Sequence, residues 1–322
     1  WRDWSSDVCS SDLTYSHLCL KRVFNGKRVN HVLPYNAPSH NAKTEGLFNE
    51  NRQRISISGV QDKFSLLLEK NKLRLINENE AGSYILKPIP TGAKNADQMP
   101  ANEHLTMQIA RQVYGIETAE NALIFFKDGT PAYITKRFDI KADGGKWAQD
   151  DFASLAGRTA PTHGEHYKYL GNYFDLFELM KLHLPAYKIE APKLFKLLLF
   201  NYLFSNGDAH FKNFSLLETP LGDYRLSPAY DLLNTRLHIA DKDFALDHGL
   251  LPPNKNKGTV LQQFKTLGQL AGISNKQIES ALQTLTNGSE NTSQLIQASY
   301  LHDKAKRNYW QSYQGKLKKL MR

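Results

Sequence analysis

Cysteine is scarce in this chain: Cys9 and Cys19 are the only two in 322 residues. Two thiols exclude a disulfide-stapled scaffold, and a reducing cytoplasm is the expected compartment. Long apolar runs are missing as well. The longest near-apolar stretch, Leu194 to Phe204, is broken by Lys196 and Asn201. It is too short to cross a bilayer as a helix, and no secretory leader is expected. The chain has no HExxH, GxSxG, Walker A or GxGxxG pattern and no clustered Cys-His set in its body. That removes the metalloprotease, nucleophile-elbow and zinc-module readings that rest on those patterns. No internal repeat or low-complexity tract is seen.

What is present is an ordinary globular composition, 41% apolar and 23% charged. Its length suits one large domain or two lobes. The net charge is +9, and seven Lys or Arg against one Asp fall between His302 and Arg322. A solvated lysine-rich helix accounts for that run; a face toward nucleic acid or a nucleic-acid-bound partner is the sharper reading. Residues Trp1 to Leu13 show neither helical nor strand period. They resemble a translated sequencing adapter and are set aside from fold reasoning.

Along the chain, Ile55 to Ile76 reads as strand, turn, strand, with Phe64 to Glu69 the first clear strand. Ser83 to Lys87 is a third, closed by Pro88 and Pro90. Pro100 opens a helix with Asn102 and Glu103 in its first turn, and Gly115 closes it. Two strands follow, Ala122 to Phe126 and Ala132 to Phe138, joined across Asp128-Gly129. After Asp139 helices dominate: Tyr173 to Leu184, Pro192 to Ser205, Val260 to Ala271, and a long terminal one from Asn291. Ser274 with Gln277 forms a capping box. The expected architecture is α+β in two lobes. Residues 14–139 form a β-rich N-terminal lobe with one helix, and residues 140–322 a mainly helical C-terminal lobe.

The chemistry concentrates in Asn206-Gly207-Asp208-Ala209-His210-Phe211-Lys212-Asn213, after the apolar helix, with Tyr230-Asp231 further on. Phosphoryl transfer needs a carboxylate near the attacking hydroxyl and oxygen ligands for Mg²⁺. Asp208 fits the first role; Asn213 and Asp231 fit the second. The Asp-x4-Asn interval equals that of the protein-kinase catalytic loop. His210 and Lys212 can steady the loop or the phosphates. A polar turn after a helix is the plainer reading of the same letters. Upstream, Ser56-Ile57-Ser58-Gly59-Val60-Gln61-Asp62-Lys63 places backbone amides near a glycine, where phosphate can approach. Lys87 ends a strand and can point at phosphates, with Glu103 placed to pair with it. An exposed strand-end lysine and a helix-dipole glutamate are the plainer readings. Lys136, Arg137 and Phe138 lie where a hinge would run and where backbone meets adenine, although Arg137 and Asp139 also suit a structural pair.

Taken jointly, these segments resemble the HipA family of bacterial toxin kinases from about Ile55 to Arg322. Four motifs carry the resemblance: Ser-x-Ser-Gly-x-Gln-x-Lys at 56–63, Ile-Leu-Lys-Pro at 85–88 with Asn102-Glu103, Lys-Arg-Phe-Asp at 136–139, and Asn-x-Asp-x-His-x-Lys-Asn with Tyr-Asp at 206–213 and 230–231. Gln149-Asp150-Asp151-Phe152 resembles a further family segment. The resemblance implies an ATP- and Mg²⁺-dependent serine/threonine kinase. Asp208 would be its catalytic carboxylate, and Asn213 and Asp231 its metal ligands. Lys87 and Ser58 through Lys63 would meet the phosphates, and Ser56 or Ser58 would be an autophosphorylation site. It also implies a DNA-binding HipB-type antitoxin and an aminoacyl-tRNA synthetase substrate. About forty credible residues precede Ile55, fewer than full-length HipA proteins carry there. That is more similar to the short HipT type, whose small HipS partner supplies the extra subdomain; the alternative is that the front of the sequence was lost with its adapter-like start. A small-molecule kinase, or a silent partner-binding module, remains the alternative from the residues alone.

Overall fold

The structure, a computed structural model, describes residues 15–38, 62–78 and 80–322. Residues 1–13 and the loop residues Ser56, Ser58, Gly59, Val60 and Gln61 lie outside them.

The N-terminal region is a five-stranded antiparallel sheet in the order β2-β1-β3-β5-β4. Its strands are β1 (Phe64–Glu69), β2 (Lys72–Leu75), β3 (Tyr84–Lys87), β4 (Asn121–Phe125) and β5 (Pro131–Lys136). Alternation along each strand sends every second side chain to one face. Phe64, Leu66, Leu73, Leu75, Tyr84, Leu86, Ala122, Ile124, Ala132 and Ile134 thus share one buried cluster. Helix α1 (His17–Phe24) covers that face with Cys19, Val23 and Phe24. Its N-cap is Ser16, whose side chain accepts from the Cys19 amide. The chain after α1 then runs beside β4: Leu33 N donates to Phe125 O at 2.8 Å and Phe125 N to His31 O at 2.8 Å. This pairing covers the outer edge of β4, which an unpaired strand would leave open.

The opposite face of the sheet carries Ile85, Lys87 and Tyr133, and helix α2 (Met99–Gln112) packs there. The helix begins one residue before the predicted Pro100, and Glu103 falls just past its first turn. The macrodipole reading of Glu103 therefore loses its footing, since that effect fades within a turn. The strand predicted to reach Phe138 ends at Lys136.

The remainder is mainly helical: α3 (Phe152–Leu155), α4 (Ala160–His163), α5 (Phe174–His183), α6 (Tyr187–Leu203), α7 (Val260–Leu270), α8 (Asn275–Asn287), α9 (Ser289–Ala298) and α10 (Asp303–Leu320). Helix α6 is apolar on most sides, and its Leu199, Phe200 and Leu203 are fully buried in the second, larger core cluster. Burial of each such side chain is worth about 1.5–3 kcal/mol. α6 starts five residues before Pro192, which sits inside it. Glu190 holds this early turn, accepting from Lys193 Nζ at 2.6 Å and from Leu226 N at 3.2 Å. The single predicted terminal helix is two. His302 caps the second by accepting from Ala305 N at 3.1 Å, and its own N–H donates to Gln98 Oε1 at 2.9 Å. The Ser274–Gln277 capping box forms as predicted. A second sheet, β6 (Gln149–Asp151), β7 (Ser215–Glu218) and β8 (Tyr224–Leu226), places Asp151 opposite Ser215, just beyond the Asp208 loop.

Candidate active site

The sheet's inner face, the loop after α6 and the Tyr230-Asp231 turn enclose a cavity of about 520 Å³. Lys63, Lys87, Lys136, Arg137, Phe138, His210, Lys212, Asn213 and Asp231 all line it. This size falls in the range of small-ligand sites.

Lys87, one of these lining residues, is only 3% exposed. Because β3 alternates, Tyr84 and Leu86 face α1 while Lys87 faces α2. Its ammonium donates to Glu103 Oε1 at 2.6 Å and makes a shorter contact to Asp231 Oδ1. Lys63 Nζ approaches the other oxygen, Asp231 Oδ2, at 3.6 Å. Burial opposes a charged Lys87, but Asp231 and Glu103 outweigh it and raise its pKa. Burial likewise opposes an ionised Asp231, yet Lys63 and Lys87 hold that carboxyl well below the usual range. Glu103 is moved the other way: burial raises its pKa more than Lys87 lowers it. The exposed reading of Lys87 is thereby excluded.

Asp231 adopts φ +55°. The left-handed region is uncommon for a residue with a Cβ, although Asp and Asn tolerate it best. Strain of this kind gathers at functional positions. Asn213 Nδ2 lies 3.4 Å from Asp231 Oδ2, and Asn213 Oδ1 accepts from His210 N at 3.1 Å. That oxygen keeps a second lone pair. Among the described residues no group of three His, Cys, Asp or Glu is arranged to hold a metal. An Asp with an Asn nevertheless fits Mg²⁺, which takes one or two protein oxygens and fills the rest with phosphate and water.

Asp208 is half-buried and does not line the cavity. Burial raises its pKa, partly offset by a hydrogen bond that Tyr169 donates to Oδ1 at 2.7 Å. His210 is nearly buried, and its Nδ1 has no partner. Burial, helped by the charge of Lys168, brings its pKa down to about 3, so the imidazole is neutral. A neutral ring with an unpaired buried nitrogen beside the cavity is suited to a polar ligand. Lys212 Nζ lies 3.3 Å from Asp151 Oδ2.

In the segment expected to form a hinge, Lys136 N donates to Glu120 O at 2.7 Å and Arg137 N to Ser83 O at 2.9 Å. The Arg137 guanidinium pairs with Asp139, Nε to Oδ1 at 2.9 Å, and Lys136 Nζ reaches Asn25 Oδ1 at 2.6 Å. The side chains of Lys136 and Arg137 are thus spent on structure. Sequence reading missed Tyr169, which belongs to no motif, and the ion-pair role of Asp151, although its segment was noticed.

Gly207 supports the loop from behind. Its N–H donates to Thr235 Oγ1 at 3.0 Å, and a Cβ at this position would overlap the Asp241 carboxylate. Asp241 cannot easily yield, being held by Thr235 Oγ1 and by Lys242 N. Gly207→Ala is expected to cost about 1–3 kcal/mol by overpacking and to slow any Asp208-dependent reaction. Chemical denaturation would read the first effect; an unchanged midpoint would show that Asp241 moves aside.

The chain is similar to several known proteins. A Haemophilus influenzae protein, provisionally named a kinase, is 26% identical over 192 residues, covering 58% of this chain and 54% of the relative. A Sinorhizobium fredii protein provisionally named kinase Y4dM is 33% identical over 210 residues, covering 61% and 48%. The chain thus spans about half the length of these curated relatives. Among solved structures, HipA of Shewanella oneidensis MR-1, from its complex with HipB and operator DNA, superposes with a TM-score of 0.62. That match has 20% identity and covers 83% of this chain and 64% of that one. The proinflammatory kinase CtkA of Helicobacter pylori gives 0.52 at 16% identity, covering 78% and 91%. At these identities the two structures speak for the fold, which is α+β and kinase-like. Residues 55–292, well over half the chain, match the family described as HipA-like C-terminal domain, and the protein belongs to that family.

Proposed function

We propose that this chain is an ATP- and Mg²⁺-dependent serine/threonine protein kinase and the toxin of a type II toxin-antitoxin system. The observation that carries the reading is Lys87. It is buried and held between Glu103 and Asp231, while Asn213 lies against Asp231 and a burial-perturbed Asp208 lies near the start of the loop that carries Asn213. A merely structural lysine needs no such set of partners, whereas phosphoryl transfer needs each of them.

In this reading Lys87 and Lys63, both beside Asp231, would bind the phosphates of ATP. Asn213 and Asp231 would hold Mg²⁺, which when bound would neutralise charge on the transferred group. His210 and Lys212 face the phosphates. The purine lies against the hinge at Phe138, since the amides of Lys136 and Arg137 are already committed. Asp208 accepts the proton of a seryl or threonyl hydroxyl as its oxygen bonds to the γ-phosphorus and the bridging bond to ADP breaks.

The remaining roles rest on the family. Ser58, Gly59, Val60, Gln61 and Asp62 complete the phosphate loop. Ser56 or Ser58 is an autophosphorylation site whose added charge expels ATP or the loop. An aminoacyl-tRNA synthetase is the substrate. A HipB-type antitoxin is the partner, as in the Shewanella complex, together with a HipS-type small protein.

Intact-mass and peptide mass spectrometry, with and without Mg-ATP, tests the reading. A phosphate on Ser56 or Ser58 that requires ATP and is missing in Asp208→Asn is the expected result. ATP binding with no phosphate on any residue would point instead to a small-molecule kinase or a silent partner-binding module.

A further inference from the structure

Tyr169 closes a single 3-10 turn, Tyr167–Tyr169, well upstream of the Asp208 loop. We propose that Tyr169 positions Asp208 for the acceptor hydroxyl, an inference that rests on the kinase reading above. Its phenol donates to Asp208 Oδ1 at 2.7 Å, a short, charge-assisted bond. A carboxylate has two oxygens and rotates about its last bond. Pinning one oxygen fixes where the lone pairs of Oδ2 point, and that orientation is what a general base must offer.

The phenol is itself held on several sides. Its ring meets the His210 ring edge-on, with centroids 5.2 Å apart. Lys168 Nζ lies 5.1 Å from its centroid. From behind, the Tyr169 carbonyl accepts from Asp247 N at 3.0 Å. Burial raises the phenol pKa, so the hydroxyl stays protonated and remains the donor. His210 in turn donates its backbone N–H to Asn213 Oδ1. One tyrosine thus touches the base directly and, through His210, the loop that carries a candidate metal ligand. Tyr169 does not line the nucleotide cavity. Its contribution should appear in turnover and not in ATP binding.

Tyr169→Phe removes only the hydroxyl and keeps the ring against His210 and Lys168. Phosphate incorporation would be followed by intact mass over a range of Mg-ATP concentrations, for the unmodified chain, Tyr169→Phe and Asp208→Asn, beside thermal unfolding. The saturated rate of Tyr169→Phe is expected to fall about ten- to a hundredfold, the loss of one hydrogen bond to a charged group. The half-saturating ATP concentration should hold, and the thermal midpoint should fall by a few degrees at most, since the same bond is present in the resting fold. An unchanged rate overturns the inference, and so does a faster one, which would mean that the phenol blocks Asp208. A fall in rate accompanied by a raised half-saturating ATP concentration makes Tyr169 structural for the whole site and also overturns it. If the unmodified chain incorporates no more phosphate than Asp208→Asn, the kinase reading fails and takes this inference with it. That outcome is distinct from an active parent with an equally active variant.

Discussion

Lys87→Met should abolish phosphate transfer and cost about 3–5 kcal/mol of stability, the usual effect of breaking a buried ion pair from one side. Lys87 and Glu103 are both nearly inaccessible, at 3% and 2%. Methionine fills much of the lysine stem's volume, so the loss would come from charge and not from a cavity. Glu103 would be left in the interior with no cation within contact among the described residues. Asp231 would keep, among the described residues, the Lys63 ammonium at 3.6 Å. The sign of the pH effect follows. Burial already raises the pKa of Glu103, and without Lys87 it rises further. A carboxyl with a raised folded pKa favours the folded state below its unfolded pKa and loses that contribution as pH rises. The stability gap between variant and parent should therefore narrow from neutral to mildly acidic pH. Denaturant unfolding at the two pH values reads this directly. A variant as stable as the parent at neutral pH would mean that the Lys87–Glu103–Asp231 cluster is not the electrostatic centre of the fold.

Asp208→Asn should lower transfer by about 10²–10⁴-fold, the range of a lost general base, without destabilising the protein. Burial raises the Asp208 pKa above its ordinary 3.8. Ionised Asp208 is therefore a net cost to the folded state at neutral pH, and that cost disappears below the unfolded pKa. The amide carries no charge to bury and is nearly the same shape. Asp208→Asn should match or exceed the parent's thermal midpoint at neutral pH, and the difference should vanish in strong acid. The same shift sets the acid limb of the parent's activity. Transfer should decline as pH falls through the raised pKa, at a higher pH than an unperturbed aspartate would give. An acid limb at the ordinary aspartate value, or a variant that is active but unstable, would move Asp208 from the chemistry to the scaffold.

Both predictions start from residues that the sequence already marked. The Asp208 loop after an apolar helix, the Lys87 strand end and the Tyr230-Asp231 pair were legible because each is local. An apolar stretch followed by Asn-Gly-Asp, or an alternating strand closed by Pro88, needs only nearby residues to be read. The Ser274–Gln277 cap is legible for the same reason, since both partners lie within one turn. The start of α6 was not, because Pro192 reads as a helix opening. It sits inside the helix because Glu190 is fastened by Leu226 N, a partner distant in sequence. The break before α10 was missed for a similar cause: its cap is a histidine, tied to Gln98.

The amino-acid sequence by itself determined the strand and helix periods, the order of β-rich and helical regions, and the family to which residues 55–292 belong. Those depend on spacing along the chain. Tertiary structure alone decided that Lys87 is buried and shared by two carboxylates. It also decided that Arg137 is spent on Asp139, that residues 31–37 cover the edge of β4, and that Tyr169 reaches Asp208. Charge and hydrogen-bond energies depend on distance and burial, and neither is a property of one segment. Lys87 and Asp231 acquire their protonation behaviour only when β3, α2 and the turn after β8 meet.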